Sequence, residues 1–178
     1  SAAEERAADR LQQEHGLARE DAERLARDPD AGNLFLAAAA HHPNAQRIAG
    51  WVLNEVRGEL QRVESEGGTA ELSPEHLAAL VRSVDEERSS GKIAKEVLAE
   101  MLTTCESPGA IVERRGLEQI SAIIDTVLSE SPEQLAEYRA GKAALRGYFV
   151  GRVMRATGGR ANPELVQRLL TDRLETAG

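Results

Sequence analysis

The segment GKAALRGYFVGRVMRATGGRANPELVQRLL, residues 141–170, sets Lys142, Arg146, Arg152, Arg155 and Arg160 among five glycines, with Glu164 its only acid. Such a set can hold a polyanion. Arginine forks and exposed backbone amides donate to phosphate oxygens, which fixes position without reading bases. A weaker second set lies in SSGKIAK, where Lys92 and Lys95 follow two hydroxyls and a glycine at the start of a helix, whose open amides can also hold a phosphate oxygen. The plainer reading of that second set is two solvent-facing lysines on an ordinary helix.

At about 100° per residue, Leu145, Phe149, Val153 and Ala156 share one face and are expected to pack inward. Lys142 and Arg146 flank that face on one side, Arg152 and Arg155 on the other, so the cations form no single stripe. Gly147 and Gly151 fall together opposite the apolar face, where missing side chains permit close approach by another backbone. Gly158 and Gly159 end the helix and turn the chain, bringing Arg160 and a new helix start at Asn162-Pro163 near the preceding arginines. The alternative is a basic, solvated helix-turn-helix packed on its own core.

Other chemistries find less support. The histidines His15, His41, His42 and His76 lack the three- or four-residue spacing that stacks metal ligands on a helix, so no metal site is expected. Cys105 is the single cysteine and has no nucleophile motif around it. Acidic pairs at 4–5 and 85–87 are what thirty acidic residues produce by chance, and they are expected in water. No catalytic residue and no cofactor is expected.

The elements that must position the cations read as helices. Gly16 closes a first helix, Asn44 opens one bearing Ile48, Trp51, Val52, Val56 and Leu60, and Ser73-Pro74 starts another over Leu77, Leu80, Val81 and Val84. Residues 106–117 read as a very short helix between turns, followed by a longer one over EQISAIIDTVLSE. Ser131 with Gln134 has capping-box spacing. No stretch alternates like a strand. The expected fold class is all-α, with two small helical bundles over residues 1–65 and 71–178, divided at the glycine pair of VESEGGTAELSP.

Charge divides the chain further on, near residue 139. Residues 1–138 carry 14 basic and 27 acidic side chains, net −13, whereas residues 139–178 carry 8 and 3, net +5. The overall charge of −8 argues against indiscriminate coating of nucleic acid or acidic membrane. With one cysteine and no run able to span a membrane, the expected setting is soluble and cytoplasmic. The start at Ser1, without an initiator methionine, fits a piece of something longer.

The 141–170 motif resembles the end of the YqeY-type domain, the tail of the B subunit of the tRNA-dependent Asp/Glu-tRNA amidotransferase. LSPEHLAALV at 72–81, SGKIAKEVLAEM at 90–101 and IVERRGLEQIS at 111–121 support it. REDAERLARD and AGWVLNEVRGEL are similar to the helical segment preceding that tail. The resemblance implies a noncatalytic appendage that holds tRNA, with tRNA-Gln the expected species, near its elbow. The chemistry would belong to a parent enzyme's catalytic domain, in an amidotransferase or in a bacterial glutaminyl-tRNA synthetase. It implies phosphate-facing roles for Lys142, Arg146, Arg152, Arg155 and Arg160, weaker ones for Lys92 and Lys95, and shape-setting roles for Gly147, Gly151, Gly158, Gly159, Asn162 and Pro163. A rival reading, motivated by the long acidic region, is a module docking the parent enzyme to a partner, such as one of the other amidotransferase subunits.

Overall fold

The computed structural model describes residues 1–176, Thr176 by its backbone only, and among them the protein is all-α with no strand. Local sequence signals set most helix ends. Helix α1 (Ala2–His15) stops at Gly16, whose φ of 67° is left-handed. Helix α2 (Arg19–Arg27) gives way at Asp28, whose carboxylate caps α3 (Pro29–Ala39) by accepting from the Ala31 amide at 3.2 Å. Asn44, Ser73 and Ser90 cap α4 (Ala45–Trp51), α6 (Pro74–Asp85) and α7 (Gly91–Thr104) in the same way. Between α4 and α5 (Arg57–Ser65) the helix widens into a π turn over Val52–Val56, which sends Val52, Leu53 and Val56 all inward.

Two expectations about elements need correction. Residues 108–129 form one helix, α8 (Pro108–Ser129), instead of a short helix and a longer one. Gly116 costs a helix about 1 kcal/mol, which the buried Ile111, Ile124 and Val127 along the same helix outweigh. Ser131 does precede α9 (Pro132–Arg139), but its hydroxyl makes no cap. It is turned instead toward Tyr148 and Arg152.

The chain divides into two compact units, Ser1–Val112 and Glu113–Gly178, so the division falls within α8. The glycine pair expected to separate the bundles, Gly67-Gly68, lies inside the first unit. The reason is packing. Ile48, Trp51, Val52 and Val56, before the glycines, share one core with Leu77, Leu80, Val81, Ala94, Val97, Leu98 and Met101, after them. A polar joint reinforces this. Asp85 Oδ2 lies 2.6 Å from His42 Nε2 and accepts from Asn44 Nδ2 at 3.0 Å, while its Oδ1 lies 3.2 Å from Arg47 Nε. Asp85 is therefore a half-buried and His42 a buried structural group, where the carboxylate was expected in water.

The second unit centres on Ile124, Val127, Phe149, Val153, Val166, Leu170 and Leu174, contributed by α8, α10 (Leu145–Ala156) and α11 (Pro163–Thr176). Tyr138 and Tyr148 both meet Phe149 edge-on, at 6.3 and 5.4 Å between ring centroids. None of the described helices is long and apolar enough to cross a membrane.

Candidate nucleic-acid interface

Helix α10 carries most of the expected cations, and its inward face decides where they point. Phe149 and Val153 are fully buried and Leu145 packs at the edge of their core, as the helical spacing predicts. Ala156 is exposed instead. It is the last residue of α10, and the chain turns away directly after it.

The five cations then separate into two kinds. Arg146 donates to the Gln167 carbonyl at 2.9 Å and to the Thr171 hydroxyl, tying α10 to α11. Arg152 donates to Ser131 Oγ at 2.9 Å, to the Tyr148 hydroxyl at 3.4 Å and to Glu130 Oε2 at 3.0 Å. Both arginines are half-buried and serve as braces. Lys142 is exposed and reaches Glu137 at 3.0 Å, a surface pair of the kind worth about 0–1 kcal/mol and easily exchanged.

Arg155 and Arg160 are different. Both are exposed, and neither has an acidic partner among the described residues; Arg155 makes only a 3.3 Å contact to the Gly151 carbonyl of its own helix. Between them Gly158 and Gly159 adopt φ of 66° and 75°, a left-handed pair that a side chain would strain. Their amides close the end of α10 by donating to the Arg155 and Met154 carbonyls at 3.0 and 2.9 Å. Asn162 Oδ1 then accepts from the Glu164 amide at 2.9 Å and the Leu165 amide at 3.4 Å, with Pro163 opening α11. The turn thus presents two unpaired guanidinium groups and a capped helix start.

The remaining glycines behave less uniformly. A Cβ placed on Gly147 would meet nothing within 4 Å, so that side of α10 is open surface. One on Gly151 would meet only the Arg155 guanidinium, at 4.0 Å. Lys92 and Lys95, exposed on α7, belong to the first unit with the Glu55 carboxylate 4.0 Å from Lys95. No group of three or more metal-ligating side chains comes together among the described residues.

Sequence reasoning passed over Tyr148, Ser131 and Glu130, which fix Arg152. One signal was present: Tyr148 and Arg152 are four apart, a spacing that stacks side chains on a helix, and the guanidinium carbon lies 6.0 Å from the ring centroid. The Tyr148 phenol is held below its ordinary pKa, first by the hydrogen bond with Ser131 and then by Arg152. The Arg152 guanidinium is correspondingly raised, chiefly by its bond to Tyr148. Exposed Arg139 and Arg168 are further cations of the second unit without an acidic partner among the described residues.

Comparison with known proteins points one way. B subunits of aspartyl/glutamyl-tRNA(Asn/Gln) amidotransferase are similar over nearly the whole chain. That of Trichodesmium erythraeum is 41% identical over 166 residues, covering 90% of this chain and 34% of the relative. That of Persephonella marina is 39% identical, covering 94% and 37%, and that of Rickettsia felis 38%, covering 92% and 35%. The chain thus spans about a third of the length of the curated relatives it matches. The family described as the GatB domain matches residues 33–174, which takes in α4 to α10, the Gly158-Gly159 turn and nearly all of α11. The chain belongs to that GatB/YqeY domain family.

Proposed function

We propose that this chain is a noncatalytic tRNA-holding appendage from the B subunit of a tRNA-dependent amidotransferase, acting in the cytoplasm on tRNA-Gln. It would position the tRNA body by shape and backbone charge for a catalytic centre elsewhere in the parent enzyme. The observation that carries this reading is the glycine turn with Arg155 and Arg160 exposed and unpaired on either side of it. A cation without an acidic partner loses nothing to an internal competitor when a phosphate arrives. Lys142 can leave Glu137 for the same purpose, and Lys92 with Lys95 would give a secondary contact from the first unit. Arg146 and Arg152 would act indirectly, by holding α10 against its neighbours.

A mobility-shift titration with tRNA-Gln at two salt concentrations tests the assignment. Each phosphate contact adds about 0.7–0.9 to the slope of log affinity against log salt, so R155Q/R160Q should flatten it by roughly 1.5 and weaken binding at low salt. Its helical circular dichroism should be unchanged, because neither side chain braces the fold. Equal affinity and equal slope for the native chain and the double variant would rule the reading out.

A further inference from the structure

A cleft of the first unit is lined by His41, α6, the turn after it, α7 and the start of α8, and encloses about 520 Å³. We infer that it docks an acidic, apolar-faced segment of a partner protein, with Arg82 and Arg88 taking the carboxylates. The first unit has 12 basic and 21 acidic side chains, a net of −9, so a cleft lined by two arginines and one carboxylate, Glu75, runs against its surroundings. Apolar contact is available beside the charge: Ala79 and Val112, the latter 54% exposed, line the cleft above the buried Ala78, Leu80 and Val97. Large side chains this exposed are few among the described residues.

The turn carrying Arg88 is built for presentation. Glu87 has a φ of 57°, an uncommon conformation for a residue with a side chain, and the Arg88 and Ser89 amides both donate to the Ser83 carbonyl, at 2.9 and 3.1 Å. Arg82 is oriented by donating to the His41 carbonyl at 2.8 Å. Both guanidinium groups lean on a single carboxylate, with Glu86 at 3.8 Å from Arg82 and 2.9 Å from Arg88. Two forks of five donors sharing one carboxylate leave most donors to water, and an incoming carboxylate can take Glu86's place. Nucleic acid is the poorer fit, because no Phe, Tyr or Trp lines the cleft, its one ring, His41, lies 3.8 Å from the Glu75 carboxylate, and phosphates have no use for its apolar lining. An acidic protein segment uses both features.

The inference is independent of tRNA binding by the second unit. It is tested on the full chain by amide NMR with a blocked amphipathic peptide of leucines at helical spacing and glutamates elsewhere, against the same peptide with lysines. The glutamate peptide should shift the amides of residues 78–89 and 109–112. R88Q should weaken it about fivefold, the equivalent of one ion pair, while E86Q should tighten it by about twofold. V112D should also weaken it, and circular dichroism should show all three variants folded. The inference is overturned if the glutamate peptide leaves those amides unmoved, if the lysine peptide or tRNA moves them equally, or if E86Q and R88Q change affinity in the same direction.

Discussion

The Arg152 guanidinium donates to Ser131, Tyr148 and Glu130 and so spends its charge inside the second unit. Arg155, three residues further on, makes no comparable contact. Two arginines that are equal as letters therefore differ in what they can offer a phosphate, and the difference lies in partners brought from 21 and 22 positions away. The same network predicts a titration. Tyr148 is depressed because Ser131 and Arg152 favour its ionised form, so the fold gains stability as pH rises through the Tyr148 midpoint toward the ordinary value near ~10. In a Y138F background Tyr148 is the one remaining tyrosine, and its absorbance near ~295 nm should titrate below that ordinary value. S131A and R152M should each move the midpoint back up. A midpoint unmoved by both changes would mean that the network does not form in solution.

At the scale of elements, the joint at Asp85 does what no single helix signal announces. His42, Asn44 and Arg47 come from the α3–α4 turn and α4, and Asp85 from the end of α6, with the Gly67-Gly68 turn between them in the chain. Asp85 is 15% exposed and His42 7%, and His42 Nδ1 is buried without a partner, so the His42–Asp85 bond is the ring's one polar anchor. Removing Asp85 leaves the buried His42 ring without its partner, while the exposed Arg47 guanidinium turns to water. D85A should lower the unfolding free energy in urea by about 1–3 kcal/mol, and D85N by less because its amide oxygen, in the place of Oδ2, can still accept from His42 and Asn44. A loss under about 0.5 kcal/mol for D85A would make the joint ornamental. Helix ends were legible in the sequence because a cap is a local device: Gly16, Asn44, Ser73 and Asn162 act on residues three or four away. Partner choice for Asp85 and Arg152 was not legible, since it depends on which helices meet. The same limit hid the continuity of α8, where burial of Ile111, Ile124 and Val127 overrides the glycine between them.

At the scale of the molecule, charge and packing divide the chain at different places. Charge turns basic near residue 139, the glycine pair suggests a break at 67–68, and the cores separate at 112–113. Packing governs what folds as a piece, because an apolar face left open to water costs roughly 25 cal/mol for every Å² it exposes. A fragment of residues 1–65 would keep Ile48, Trp51, Val52 and Val56 while losing Leu77, Leu80, Val81, Val97, Leu98 and Met101, the side chains that cover them in the same core. It would also lose Asp85, against which His42 rests. Residues 1–112 keep all of these. Fragment 1–112 should therefore unfold cooperatively in urea with dispersed amide NMR signals, while fragment 1–65 should show partial helix, no sharp transition and collapsed dispersion. A cooperative 1–65 fragment would place the boundary at the glycines after all. It would make the core shared across them an accretion on a bundle that is stable without it.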